Sequence, residues 1–488
     1  MYEGGEKSKK SVVSGMFWAY CENITTQFVS FVLSIVLARI LEPAHYGTIA
    51  LVMVFISIAN VFVSSSFSYA LIQKSDVDEL DYNTMFWFNL IVSLVLYSIL
   101  FFTAPVIASY YSNENLILII RVLSVRIPVS AYNSIQLAYV SNKMAFKKSF
   151  MSSFFGNAFS AIVGIAMAIS GLGIWALVLQ SILLVIINTV CMCVTIRWFP
   201  KIQFSWTRLK GMYSFGWKLI VTGLLYTLYA EVRTLVIGKR YSESELGYYD
   251  KGYSFPRFIA SNIDSTINRV LFPTLAQEQN DILRLAKMTR RSAKTSAYIM
   301  TPILFGLAAV SETLVKCLLT EKWLPCVPYL IIMCFVWWLQ PTQSCSIQAL
   351  KALGKSGLYL SIEIISKVVG IGLLCIAVFI VDSVFAIAVS MLIGQIFAMI
   401  LYGVFVSKYV GYKLVHQIQD LLIPALMGVI MAVGVEFVNN IVDVEMLSII
   451  VQIIVGGIIY IVLSIVIKYE AFIYLINTFK QMLKKNKV

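Results

Sequence analysis

Apolar segments of membrane-spanning length recur along this chain and exclude most folds. About 20 apolar residues cross a bilayer as a helix. Segments that meet this requirement lie near 12–38, 46–71, 83–109, 116–141, 149–170, 173–196, 212–238, 246–277, 294–315, 327–350, 358–380, 384–407, 421–440 and 446–467, fourteen in all. Short loops join them and leave no stretch for a separate soluble domain. Only 13% of the residues are charged and 59% are hydrophobic, against about 25% charged in soluble domains. The expected fold is an all-α polytopic membrane protein, not a soluble enzyme on an anchor. The N-terminal MYEGGEKSKK is basic and runs straight into a full-length span. A cleaved signal peptide would show a short apolar core and a small-residue cleavage site instead.

Loop charge sets the expected orientation. With the N-terminus inside, the inner loops hold Lys143, Lys147 and Lys148, then Lys201, Arg208 and Lys210, then Arg284, Lys287, Arg290, Arg291 and Lys294, then Lys351 and Lys355. The C-terminal tail adds Lys480, Lys484, Lys485 and Lys487, whereas the outer loops hold Glu114, Asp382, Glu436, Asp443 and Glu445. Both termini are therefore expected in the cytoplasm. The acidic inner loop QKSDVDELD at 73–81 dissents, but acidic residues weigh little in this rule. The net charge of +13 is thus a topological signal, and no nucleic acid is expected as a partner.

The segments fall into two copies. Ser134-Ile135-Gln136 followed by Lys143 recurs as Ser346-Ile347-Gln348 followed by Lys355, at an offset of 212. Gly15-Met16-Phe17-Trp18 resembles Ser214-Phe215-Gly216-Trp217, and Gly47 matches Gly247 at an offset of 200. The expected architecture is two parallel six-helix lobes around a central cavity, plus two C-terminal helices, an arrangement that transporters use. The lobes span 1–198 and 212–410. A linker at 199–211 carries Trp206, Arg208 and Lys210 and suits either an interfacial helix or an ordinary loop. Residues 411–488 hold helices 13 and 14 and a basic tail.

The eighth segment, LGYYDKGYSFPRFIASNIDSTINRVLFPTLAQ, departs from the apolar pattern. It carries Asp250, Lys251, Arg257, Asp264 and Arg269, and each charge near a helix centre in lipid costs at least about 2.5 kcal/mol. At 100° per residue, Asp250, Ser254, Arg257, Ser261, Asp264 and Asn268 fall within roughly 40° of one line. That stripe reads as the wall of a hydrophilic cavity, with Arg257, Asp264 and Asn268 facing cargo. Arg suits a diphosphate because its planar fork binds oxygens two at a time. A purely structural pairing of the same charges is the plainer reading. Asp250 and Lys251 are expected as rim charges, and Arg269 as a snorkelling side chain.

Three more cavity candidates, Lys218, Glu231 and Arg233, lie on the seventh segment. If segments 7 and 8 pack antiparallel, a Glu231–Arg257 pair is the simplest way to hold both at depth. Glu22 and Asn23 lie near mid-membrane on the first segment. Glu22 and Asp264 are the acids expected to carry a coupling ion, H⁺ or Na⁺, against the alternative that cargo alone drives transport. Arg121 and Arg126 are about 140° apart on one helix and cannot share a face. Glu363 and Lys367 have the spacing of an ordinary helix pair.

Other chemistry is not indicated. Asp76-Val77-Asp78 matches the D-x-D of some glycosyltransferases but sits in a short loop with no nucleotide fold around it. No G-x-x-x-x-G-K-[ST] occurs. The two histidines, His45 and His416, lie near span ends, not in the core where a membrane acyltransferase would place one. The eight cysteines form no C-x-x-C and read as small hydrophobes. No metal, cofactor or catalytic residue is expected.

Five segments, LARILEPAHYGTIAL (37–51), SYALIQK (68–74), VSNKMAFKK (140–148), LVIGKRYSESELGYYDKGYSFP (235–256) and RVLFPTLAQ (269–277), resemble the polysaccharide transporter family of the multidrug/oligosaccharidyl-lipid/polysaccharide flippase superfamily. Within it the colanic-acid and teichuronic-acid exporter type is most similar. The resemblance implies two six-span lobes, alternating access and a polyprenyl-diphosphate-linked oligosaccharide moved from the inner to the outer leaflet of a bacterial plasma membrane. It implies a polysaccharide polymerase and chain-length proteins as partners. Glu231-Val232-Arg233 departs from the family, whose members carry neutral or acidic residues there, and unsettles any transfer of cation-coupling sites. A multidrug or small-cation antiporter would favour an acidic cavity. A membrane-embedded polymerase or ligase would need a large outer loop.

Overall fold

The structure, a computed structural model, describes residues 3–65, 71, 76–439 and 445–485. The SYALIQK motif apart from Leu71, and the loop and tail positions Asp443 and Lys487, lie outside them. No strand occurs among the described residues. In chain order come α1 (Glu3–Ile40), α2 (Pro43–Asn60), α3 (Glu79–Tyr111), α4 (Asn115–Leu123), α5 (Arg126–Asn142), α6 (Phe146–Ile169), α7 (Ile174–Ile196), α8 (Trp206–Arg240) and α9 (Glu243–Gln277). After them run α10 (Ile282–Ala309), α11 (Ser311–Leu319), α12 (Val327–Ala352), α13 (Ser356–Ile376), α14 (Val384–Tyr409), α15 (Leu414–Asn439), α16 (Glu445–Val466) and α17 (Glu470–Lys485).

Twelve of the described helices are long and apolar enough to cross a membrane, thirteen if α10 and α11, bent by 66°, form one span. The chain is a multi-pass membrane protein. Length and apolarity do not reach the expected fourteen. The eighth segment is a continuous helix of 35 residues, α9, but its charges and hydroxyls take it out of the apolar class.

Contacts divide the chain into two compact units, Met1–Gly247 and Tyr248–Val488. The seventh segment, expected in the second lobe, groups with the first unit. Residues 206–211, expected within a separate linker, open α8 and run into the seventh span without a break. The extended residues before it are tied to α3. Lys201 N donates to Asn83 Oδ1 at 3.0 Å, and Trp87 Nε1 donates to Lys201 O at 2.8 Å.

Asp78, the second acid of the D-x-D, is part of this junction, together with Asp81. Asp78 caps α3 by accepting from Asp81 N at 3.0 Å, and Asp81 accepts from Asp78 N at 3.2 Å, a reciprocal capping box. Arg208 bridges both carboxylates at 2.8 and 3.0 Å.

The glycines matched at offset 200 meet each other within the first unit. A Cβ on Gly47 would lie 1.9 Å from the Glu243 carbonyl oxygen, and one on Gly247 would lie 2.1 Å from the Pro43 carbonyl oxygen. Only a residue without Cβ lets the first turns of α2 and α9 cross so closely. Thr48 Oγ1 donates to Glu243 Oε2 at 2.7 Å. Asn113 Nδ2 donates to Glu243 Oε1, which ties the end of α3 to the crossing.

In the second unit, Leu275, Leu285, Leu350, Ile362 and Tyr402 centre one buried cluster, and Tyr298, Met431 and Tyr460 centre another. Asp420, 4% exposed, accepts two bonds from Arg290, at 2.7 and 3.2 Å, and one from Tyr412 at 2.9 Å. Glu363 and Lys367 pair at 3.1 Å, as their spacing implies, and Tyr402 also donates to Glu363 at 2.7 Å.

Candidate functional site

A cavity of about 470 Å³ lies inside the first unit, within the roughly 300–1,000 Å³ of small-molecule sites. Helical periodicity builds its walls from polar residues on four otherwise apolar helices. Glu22 and Thr26 come from α1, Ser130, Asn133 and Ser141 from α5, Ser149, Ser153 and Asn157 from α6, and Asn188 from α7. Glu22 is the one charged residue of the lining.

The Glu22 carboxylate is anchored on one side. Ser149 Oγ and Ser153 Oγ both donate to Oε1, at 2.9 and 2.5 Å. Asn157 Nδ2 donates to Ser153 O at 2.7 Å and extends the same face of α6. Two buried amide atoms, Asn133 Nδ2 and Asn188 Oδ1, have no partner. A donor and an acceptor left unmatched at membrane depth cost free energy unless a ligand or water meets them. One turn beyond Ser130 on α5 stands Arg126. Its Nη1 donates to Ser181 Oγ at 2.7 Å and touches Met53 Sδ at 3.3 Å, while its buried Nε has no partner.

The polar stripe of α9 splits into two environments in the second unit. Near its start, Tyr249 and Tyr253 stack with ring centroids 6.3 Å apart, and Trp337 lies 5.8 Å from Tyr253. The Arg257 guanidinium sits 5.5 Å from the Tyr253 ring centroid, and Arg257 is exposed. Lys251 is not a rim charge. It is 3% exposed, with its ammonium 5.6 Å from the Trp323 ring centroid, because an aromatic face is the neighbour that best tolerates a desolvated cation. Further along, Asn268 Nδ2 donates to Asp264 Oδ2 at 3.0 Å, and Gln348 Nε2 donates to Asn268 Oδ1 at 2.8 Å. Ser344 also reaches the Asp264 carboxyl, and Oδ1 is buried without a well-aligned bond.

The structure thus joins Asp264 and Asn268, and adds Gln348 to them. Lys218 is exposed on α8 and Glu231 is half-buried. Arg233 is 4% exposed, 5.3 Å from the Tyr229 ring centroid, with its Nε unpartnered. Glu231 belongs to the first unit and Arg257 to the second. Sequence reasoning missed the serines and asparagines of α5–α7, because it looked for charge. Their signal was the recurrence of Ser149, Ser153 and Asn157 every fourth residue in an apolar span.

Residues 36–328 match a family model described as polysaccharide biosynthesis protein. The chain is similar to teichuronic acid biosynthesis protein TuaB of Bacillus subtilis, 24% identical over 72% of this chain and 73% of the relative. It is similar to succinoglycan biosynthesis transport protein ExoT of Rhizobium meliloti, 23% identical over 64% of each. Among solved structures, lipid II flippase MurJ in an inward closed conformation superimposes with a TM-score of 0.76 at 16% identity, over 94% of this chain and all of that one. That likeness establishes a shared fold.

Proposed function

Because the chain belongs to the polysaccharide biosynthesis protein family, we propose that it is a flippase. It moves a polyprenyl-diphosphate-linked oligosaccharide from the inner to the outer leaflet by alternating access. The observation that carries this reading is the polar cavity of the first unit. Eleven hydroxyl, amide and carboxylate side chains line it on helices that are otherwise fit for lipid. A saccharide offers the dense donors and acceptors that such a lining requires. A cation for the diphosphate is available in each unit taken by itself: in the first, Lys218 and Arg233, whose buried Nε is unpartnered, and in the second, Arg257. Coupling to H⁺ or Na⁺ falls to Asp264, whose carboxyl, with Oδ1 buried, meets the neutral Asn268 and Ser344, more than to Glu22, whose Oε1 is engaged twice. The family points to a bacterial plasma membrane, and loop charge favours both termini in the cytoplasm; a polysaccharide polymerase and chain-length proteins there receive the product.

The test is transport by purified protein in proteoliposomes, with a fluorescent polyprenyl-diphosphate disaccharide as probe and membrane-impermeant quenching as readout. Protein-dependent equilibration across the leaflets is expected. Absence of equilibration, together with extrusion of a cationic dye under an imposed ΔpH, would establish an antiporter instead.

A further inference from the structure

Glu22 is held so that one oxygen is engaged by the protein and the other is not. Oε1 takes both serine hydroxyls, and Oε2 accepts no bond from any described residue. We propose that Glu22 is a specificity residue that selects the sugar unit lodged at its level: an uncharged or ammonium-bearing sugar, and not a uronate. This rests on the reading of the cargo as a lipid-linked saccharide. A fixed carboxylate accepts bonds from sugar hydroxyls through its open oxygen. The carboxylate of a uronic acid brought to the same place meets a like charge, which is how interfaces reject wrong partners.

Among the described residues no cation bonds Glu22. Glu22 is the one charge in the lining. The basic residues at the start of α6 and the end of α5 are placed on other groups: Lys147 lies 5.3 Å from the ring centroid of Trp18, one turn before Glu22 on α1, and Lys143 lies 6.0 Å from that of Tyr139, while Lys148 is exposed. Arg126 stands one turn beyond the lining residue Ser130; its Nη1 is engaged by Ser181 and Met53 and its Nε has no partner. The unmatched Asn133 Nδ2 and Asn188 Oδ1 are the neutral donor and acceptor available to the same sugar.

The experiment is equilibrium binding to the full chain in nanodiscs. The probes are undecaprenyl-diphosphate disaccharides differing only at one C6, hydroxymethyl or carboxylate, with the altered sugar either first or second from the diphosphate. In at least one series the wild type should bind the neutral compound about tenfold tighter or more. Glu22→Gln keeps the size and an acceptor, and should bring the pair within about threefold, chiefly by tightening the uronate. Ser149→Ala with Ser153→Ala releases the carboxylate without removing it. It should weaken the preference, and it serves if Glu22→Gln does not fold. Equal affinities in both series, or a preference unchanged by either variant, overturns the selectivity role and leaves the flippase reading intact. Failure of all four compounds to bind overturns both.

Discussion

Replacing Gly47 with Ala tests the closest crossing in the first unit. The new Cβ would lie 1.9 Å from the Glu243 carbonyl oxygen, about 1.5 Å short of the 3.4 Å at which such contacts become ordinary. The obstacle is backbone, so no side chain can rotate away, and the first turns of α2 and α9 must separate. Separation also stretches the 2.7 Å bond from Thr48 to Glu243. Overpacking of this kind costs about 1–3 kcal/mol, while Gly→Ala in a helix returns up to about 1 kcal/mol. The steric cost wins, and a net loss of about 1–2 kcal/mol is expected. Gly247→Ala opens the same crossing from the other side, where a Cβ would lie 2.1 Å from the Pro43 carbonyl oxygen. The double variant should therefore lose less than the sum of the two. Gly457 has nothing within 4 Å of its Cβ position, and Gly457→Ala is the control that keeps only the helix gain. Thermal unfolding of the four purified variants in one detergent measures the effect. A Gly47→Ala protein as stable as Gly457→Ala would refute the reasoning.

Arg257→Ala is expected to abolish export while the protein level holds, and normal export would make the α9 stripe structural. Asp264→Asn should leave cargo binding within about threefold and remove the response of reconstituted transport to imposed ΔpH or ΔpNa; an unaltered response moves coupling elsewhere. With both termini cytoplasmic, a cysteine at position 382 should label from outside intact cells and one at position 287 should not; the reverse result overturns the topology. Glu470, beyond the last span, accepts from Lys294 at 2.6 Å, and that bond holds its carboxyl below the usual glutamate range. A depressed carboxyl stabilises the fold above its unfolded value, near pH 4.3, and loses that contribution as pH falls through the lowered one. The side chain is 80% exposed, so solvent screening keeps the effect under about 1 kcal/mol. Glu470→Gln should flatten the acid limb of a stability profile by that amount, and an identical acid limb in both proteins would remove the pair from the account.

What the sequence determined by itself is the class of fold and where most helices run, because both depend on local quantities. Transfer of apolar side chains into lipid selects the segments, and the 3.6-residue period marks their polar faces. Hence the Ser149–Ser153–Asn157 face and the Glu363–Lys367 pair were there to be read, and the correspondence of Gly47 with Gly247 was visible as a repeat. The tertiary structure decided which faces meet. Lys251 and Arg257 carry the same charge six residues apart on one helix, yet one is buried against Trp323 and the other is exposed beside Tyr253. No local pattern separates them, since the burial of Lys251 depends on Trp323, more than 60 residues away in the chain. The same holds for Glu22. A carboxylate at membrane depth fits a coupling site and a cargo site equally well in sequence. Only the placement of two serines from α6 shows which of its oxygens is already taken.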